Sequence, residues 1–378
     1  MRLRLTILPG DGIGPEVIQE ALKVIRAISR RFGHEIVTQS ALIGGAALDS
    51  VGIPLPEETI KACENSDAVL LGAIGGPKWD SNPAGLKPEK GLLGVRKALG
   101  NYANLRPAHI FSALRKASTL KPEVIEGVDL LIVRELTGGI YFGEPRGFAA
   151  SDATDHVSCD LSRRVPDVAQ AGVAFNTEIY SVSEIERIVR MAVELARSRR
   201  RIVCSVDKAN VMESSQLWRR VAMHIADESP DVKFSFMYVD NCAMQLVAYP
   251  RQFDVVVTSN LFGDILSDEA AMLTGSIGML PSASLGGRVA LYEPVHGSAP
   301  DIAGKNVANP LAAILSVAMM FQYSFHLTEE AQAIDRIIES LLEEGYRTHD
   351  LEDSQGGNTT LLSCSEMGDR VAQGILRG

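Results

Sequence analysis

Short apolar runs alternate with longer stretches whose apolar residues recur at helical spacing, and the alternation persists along most of the chain. Leu3 to Leu8 reads as a strand, and a Gly-rich turn follows it. Pro15 then opens a helix with Val17, Ile18, Ala21, Leu22, Ile25 and Ile28 on its apolar side. The run Ala68 to Ala73, AVLLGA, is apolar at nearly every position, as expected of a parallel strand covered on both faces. Further strands are expected at Asp129–Arg134, Ile202–Val206, Phe234–Val239, Asp254–Thr258 and Val289–Tyr292. Between them, Ser183–Arg199 places Ile185, Ile188, Val189, Ala192, Val193 and Ala196 on one helix face. Its basic end (Arg197, Arg199, Arg200, Arg201) reads as cations favoured at a helix C-terminus, ahead of a phosphate-binding patch. Alternating strands and helices define an α/β protein. Residues 147–178 have weak periodicity and several turn residues, and read as an extended hairpin arm or irregular excursion.

Composition narrows the class. A chain of 378 residues is long enough for two to three domains at about 150 residues each. Its net charge of −10 argues against a general nucleic-acid binder or a polybasic membrane protein. No apolar run approaches the roughly 20 residues of a membrane span, and the first one stops at Pro9-Gly10-Asp11, too short for a signal peptide. Five cysteines are scattered without a CxxC, which suits a reducing cytoplasm.

Five polar motifs stand out, and several of them sit at strand ends, where open α/β sheets place their ligand crevice. Gly10-Asp11-Gly12-Ile13-Gly14-Pro15-Glu16 has G-x-G-x-G spacing, not the dinucleotide fingerprint G-x-G-x-x-G, and Glu16 adds negative charge where a pyrophosphate would sit. Alone it reads as a tight strand-to-helix turn. Arg96, Arg106 and Arg134 could grip a small dianion bidentately if they converge, whereas singly each reads as an ion-pair residue. Asp264 and Asp268 are four apart on an expected helix, and Asp240 follows another strand. Together they suit Mg²⁺ or Mn²⁺, and a dipole-favoured acidic helix surface is an equal reading. Lys208 and Tyr141 are a candidate base and acid, with ion pairing and hairpin packing as the plainer readings. Finally, Glu293 to Asp301 (EPVHGSAPD) offers groups suited to ribose hydroxyls, and its Asp301 would repel an added 2′-phosphate.

Taken in order, LPGDGIGPEV, GAIGGPKWD, YANLRP, VRELTGGIYFGEPRG, SVDKANV, VDNCAMQLV, TSNLFGDILSDEAAMLTGSIGMLPSAS and EPVHGSAPDIAGKNVANP resemble the β-decarboxylating dehydrogenases. That family includes isocitrate, 3-isopropylmalate, homoisocitrate and tartrate enzymes, and the motifs are most similar to its 3-isopropylmalate branch. The resemblance spans nearly the whole chain. It implies a two-domain, non-Rossmann α/β fold with the active site in the interdomain cleft. Residues 1–101 plus 275–378 would form a discontinuous NAD-binding domain. Residues 102–274 would form an inserted dimerisation domain with an arm near 147–180. A soluble, cytoplasmic homodimer with shared active sites is implied, with a small dicarboxylate as substrate and neither nucleic acid nor membrane as partner.

The resemblance also assigns roles. Arg96, Arg106 and Arg134 would hold substrate carboxylates, and Asp264 and Asp268, with Asp240 of the partner subunit, would bind Mg²⁺ or Mn²⁺. Tyr141 would protonate the enol, and Lys208 of the partner subunit would help deprotonate the C2 hydroxyl. NAD would lie across Ile13, the segment Gly76, Pro77 to Glu89, and the segment from Gly297 through Ser298, Ala299 and Pro300 to Asn309. Asp301 would face the adenosine ribose and His296 would lie beside it. In helical register Glu89, Leu92, Leu93 and Arg96 share a face, so Leu92 and Leu93, completed by the partner's Val211, would form an apolar wall. Burying an isopropyl group there is worth about 2 kcal/mol, whereas an unpaired carboxylate would cost more. The alternatives are a sister dehydrogenase for another 3-substituted malate, or a non-catalytic NAD-binding paralogue. Between Gly147 and Tyr180 the chain is longer than the compact bacterial pattern by roughly the stretch 150–172.

Overall fold

In a computed structural model, the structure describes residues 1–115, 117–118, 120–150, 164–165, 171–352 and 359–378. The strands are β1 (Arg2–Gly10), β2 (Glu35–Ser40), β3 (Ala68–Ala73), β4 (Ala103–His109), β5 (Asp129–Glu135), β6 (Gly147–Ala150), β7 (Arg164–Val165), β8 (Ala171–Phe175), β9 (Ile202–Asp207), β10 (Lys233–Tyr238), β11 (Val255–Thr258), β12 (Pro281–Leu285), β13 (Ala290–Pro294), β14 (Tyr346–Arg347) and β15 (Thr360–Leu361). Ten of them form one sheet in the order β10-β9-β11-β5-β4-β12-β13-β3-β1-β2. Its joint is antiparallel: β4 pairs antiparallel with both β5 and β12, and β12 pairs antiparallel with β13. The outer strands on either side pair in parallel.

Strand alternation decides what each face of this sheet buries. Leu3, Leu5 and Ile7 of β1, Leu105 of β4, and Leu131 and Val133 of β5 point into one large core. Helices Gly14–Phe32, Val182–Arg197, Leu311–Tyr323 and Cys364–Arg377 cover it. The opposite face carries two separate cores. One gathers Leu8, Val69, Leu71, Val95 and Leu99. The other gathers Ala108, Leu130, Ile132, Leu246, Val256 and Leu266. Arg106 and Arg134 share the register of Ala108 and Ile132, so they project onto this face between the two cores.

The expected strands are present with ends shifted by a residue or two, and AVLLGA is β3, buried at all six positions. Three sheet strands, β2, β4 and β12, have no counterpart among the sequence expectations. β2 is an edge strand with almost every residue exposed, while β4 and β12 carry Asn104, Arg106, Pro107 and two serines that break any apolar run. The arm is a hairpin in its described part: Gly147, Phe148 and Ala149 of β6 face Phe175, Ala174 and Val173 of β8. The remainder of the 150–172 stretch lies outside the described residues, apart from Ala150, Arg164, Val165, Ala171 and Gly172. The basic run after residue 197 does more than complement a helix end. Arg197 pairs with Asp231 at 2.9 Å, and Arg199 with Asp129 and Asp254 at 2.9 Å each. No helix of the described residues is long and apolar enough to cross a membrane.

Candidate active site

Between the two smaller cores lies a cavity of about 630 Å³. Each wall comes from a different element. The end of β3 at Ala73 and the following Ile74 form one part, helix Glu89–Leu99 supplies Glu89, Leu92, Leu93 and Arg96, and β4 and β5 supply Arg106 and Arg134. Tyr141 and Asp264 close one side, and Glu293 to Gly297, at the end of β13, close the other. The three arginines therefore converge, although they come from separate motifs.

Their surroundings differ. Arg96 pairs with Glu293 through one terminal nitrogen, and its buried Nε has no hydrogen-bond partner. Arg106 donates from Nε to Asn104 Oδ1 at 2.8 Å and lies 3.5 Å from an Asp268 oxygen. Burial, then the like charges of Arg134 and Arg96, push the Arg106 pKa down to about 10. Arg134 is the most enclosed, 5% exposed, and burial lowers its pKa also. Its Nε and Nη2 donate to Asn260 Oδ1 at 3.1 and 2.8 Å, and its Nη1 donates to Asp264 Oδ1. A buried cluster of guanidiniums with donors still directed into a cavity is chemically suited to an anion with more than one carboxylate.

Asp264 stands at the centre of the polar side. Its other oxygen, Oδ2, accepts the Tyr141 hydroxyl at 2.7 Å, and the Arg134 guanidinium lies 5.5 Å from the Tyr141 ring centroid. Burial and then the Asp264 hydrogen bond raise the Tyr141 pKa above its ordinary value, so the phenol keeps its proton at neutral pH. Asp264 and Asp268 project from one face of helix Asn260–Ala271. Each carboxylate oxygen has a lone pair beyond those used here, so the pair suits a hard, oxygen-preferring cation. It is not a complete ligand set. Among the described residues no group of three or more His, Cys, Asp or Glu gathers that could hold a metal ion.

Lys208, Val211 and Asp240 do not line this cavity. Lys208 Nζ lies 2.8 Å from Asp240 Oδ1, and that contact holds the Asp240 carboxyl below its usual range. Val211 is 64% exposed. Nearby, helices Val239–Ala248 and Asn260–Ala271 pack together and leave Met244, Val247, Ile265 and Met272 exposed at or beside them.

The residues expected to meet a dinucleotide divide similarly. Glu89, His296 and Gly297 line the cavity. Ile13 N–H donates to Ser298 O at 2.8 Å, so these two segments touch. Gly76 and Pro77 open the short 3-10 turn Pro77–Trp79, and Ala299, Pro300 and Asp301 lie in the loop beyond Ser298. The side chain of Asn309 is engaged within the protein: Oδ1 accepts from Leu311 N–H at 2.9 Å and Nδ2 donates to Asp350 at 3.0 Å. His296 is buried, its Nε2 has no partner, and burial lowers its pKa.

Sequence reasoning assigned no site role to several cavity residues, of which Asn260 and Glu293 hold the arginines. Asn260 fixes Arg134 and also donates to the carbonyls of Leu136 and Gly138, both at 3.1 Å. Glu293 neutralises Arg96 from 197 residues away. Both lie inside quoted motifs, and that position was their only signal.

An α/β sheet broken on one face by an arginine- and aspartate-lined cavity, with a buried arginine tied through a half-buried aspartate to a tyrosine, is suited to small anionic ligands. The comparisons with known proteins are more specific. Residues 4–371 match the family model described as isocitrate/isopropylmalate dehydrogenase. The 3-isopropylmalate dehydrogenase of Nitratidesulfovibrio vulgaris is 54% identical over 377 residues, covering 99% of this chain and 100% of that protein. That of Geobacillus kaustophilus is 55% identical over 374 residues, covering 99% and 95%. Among solved structures, isocitrate dehydrogenase from Methylococcus capsulatus superposes with a TM-score of 0.83 at 33% identity, covering 99% of each chain. The chain belongs to the isocitrate/isopropylmalate dehydrogenase family, and its fold is the fold of that family.

Proposed function

We propose that this protein oxidatively decarboxylates (2R,3S)-3-isopropylmalate to 2-oxo-4-methylpentanoate and CO₂, reducing NAD, as a step of leucine biosynthesis. The full-length relatives above bear the name of that activity. The observation that carries the substrate class is the convergence of Arg96, Arg106 and Arg134 on a cavity whose remaining wall includes Leu92 and Leu93. Two carboxylates can be clamped, and the third position meets hydrocarbon.

The residues would act as follows. Arg96, Arg106 and Arg134 orient the malate skeleton and hold the leaving carboxylate, converting binding energy into alignment. Asp264 and Asp268, with Asp240 of the partner subunit, would hold Mg²⁺ or Mn²⁺. When bound, that cation would supply charge stabilisation at the C2 oxygen, and NAD would supply the acceptor for the hydride from C2. Lys208 of the partner subunit takes the C2 hydroxyl proton. Tyr141, kept protonated by burial and by Asp264, delivers a proton to the enol left after CO₂ departs.

A homodimer is supported by the position of Lys208, Val211 and Asp240 outside their own chain's cavity and by the exposed apolar side chains on the adjoining helices. We read the half-sheet β2-β1-β3-β13-β12 as one domain, residues 1–101 plus 275–378, and the remainder, 102–274, as the other. Their junction would be the cleft, closing on substrate to exclude water. A cytoplasmic setting agrees with four buried free cysteines, Cys63, Cys204, Cys242 and Cys364. The test is stoichiometry: with Mg²⁺, each 3-isopropylmalate consumed yields one NADH and one CO₂. Release of NADH without CO₂ would reject the decarboxylating step.

A further inference from the structure

The Gly-rich turn Gly10 to Glu16 resembles a phosphate site but has the wrong spacing and carries two carboxylates. The structure gives those carboxylates partners. Asp11, 4% exposed, accepts three backbone N–H groups: Gly45 at 2.8 Å, Ala46 at 2.7 Å and Gly75 at 2.9 Å. Gly75 immediately precedes Gly76 and Pro77. Glu16, in the first turn of helix Gly14–Phe32, accepts from Gly304 N–H and from Asn306 N–H, the latter at 3.1 Å. Between them, Ile13 N–H donates to Ser298 O, and a Cβ on Gly12 would lie 2.0 Å from that same oxygen.

The loop from Ser298 to Asn306 is therefore held at both ends. At its far end Asn306 adopts a φ of 58°, and its side chain exchanges hydrogen bonds with Ser365 N–H and Oγ, both at 2.9 Å. A loop with a left-handed alanine and a left-handed asparagine, Ala299 and Asn306, needs such ties to occupy one conformation. The helix N-terminus that might have drawn a pyrophosphate already has an internal anion in Glu16.

We infer that Glu16 and Asp11 are positioning residues for the dinucleotide: Glu16 preforms the 298–306 loop, Asp11 preforms the loop at Gly75–Pro77, and neither touches the reacting atoms. This rests on the dinucleotide reading above. Preformed loops bind without the cost of being ordered, so loosening one weakens binding and leaves the chemical step alone.

The test uses the full-length dimer with Glu16→Ala and Glu16→Gln, reading NAD⁺ Kd by calorimetry together with steady-state constants. Glu16→Ala is expected to raise both Kd and KM for NAD⁺ about tenfold or more, with kcat and the dicarboxylate KM changed by less than about twofold. Glu16→Gln, which keeps one acceptor oxygen, falls between. Amide hydrogen exchange at Gly304 and Asn306 should quicken in Glu16→Ala and slow again when NAD⁺ is added. An unchanged NAD⁺ affinity overturns the inference, as does an equal loss in kcat and in both KM values. Failure of the unaltered enzyme to bind NAD⁺ overturns instead the cofactor reading on which the inference stands. If Glu16→Ala does not fold, the same readouts on Glu16→Gln decide, because its expected change is in NAD⁺ affinity alone.

Discussion

Tyr141 donates its hydroxyl hydrogen to Asp264 Oδ2 at 2.7 Å, while Arg134 occupies the other oxygen of the same carboxylate. The phenol is thereby held in one orientation at the cavity, with its proton retained across the neutral range. Tyr141→Phe keeps the ring and removes only the hydroxyl. Turnover should fall by about 10²- to 10⁴-fold, the usual weight of a positioned general acid, with the dicarboxylate KM changed by less than about threefold. A variant retaining near-normal kcat would remove Tyr141 from the proton-transfer role.

Leu92 lines the cavity and also packs against the core built on Leu71, Val95 and Leu99. Leu92→Ser removes apolar wall at the position proposed for the 3-substituent. The kcat/KM for 3-isopropylmalate should drop roughly tenfold or more relative to unsubstituted malate, matching about 1–3 kcal/mol for a hydrophobic contact of this size. An undiminished ratio would show that the alkyl group binds elsewhere.

Much of this fold was legible in the sequence, and the illegible parts have a common cause. β3 is buried on both faces, so its sequence is nearly pure hydrocarbon and declares itself. β4 faces the large core on one side and the cavity on the other, so Asn104 and Arg106 interrupt its pattern and Pro107 suggests a break. The residues that build the site conceal the strand that carries them. The same holds for side-chain partners. Lys208 and Tyr141 could be singled out because their chemistry is distinctive, whereas Asn260 matters through partners such as Arg134, which lies 126 residues earlier in the chain.

The proposed sharing of active sites between subunits makes a complementation prediction. On the proposed roles, Tyr141→Phe disables a chain's own cavity, whereas Lys208→Met disables the contribution it makes to its partner. Each homodimer should be nearly inactive. After unfolding together and refolding in equal amounts, half the dimers are mixed and each mixed dimer has one intact site, so about a quarter of wild-type activity should return. Absence of recovery, with mixed dimers confirmed by native mass spectrometry, would place Lys208 in the cavity of its own chain.

His296 supplies a pH dependence. Burial depresses its pKa below 6.5, so the folded protein holds the ring neutral while the unfolded chain takes up a proton as pH falls through about 6.5. The unfolded state then binds more protons, and this contribution to stability is fully present above pH 6.5 and lost on acidification. Thermal unfolding of the protein and of His296→Gln, followed from pH 7.5 to 5, should show the unaltered protein losing more Tm across that range. Parallel curves would show that His296 titrates alike in both states.

The most direct test of the proposed activity is kcat/KM measured with NAD⁺ and Mg²⁺ on 3-isopropylmalate and on isocitrate side by side. Three arginines and an apolar wall predict a preference for 3-isopropylmalate of about a hundredfold or more, because isocitrate would bring a third carboxylate against Leu92 and Leu93. A preference for isocitrate would contradict the assignment of that wall to the substrate, and with it the proposed activity.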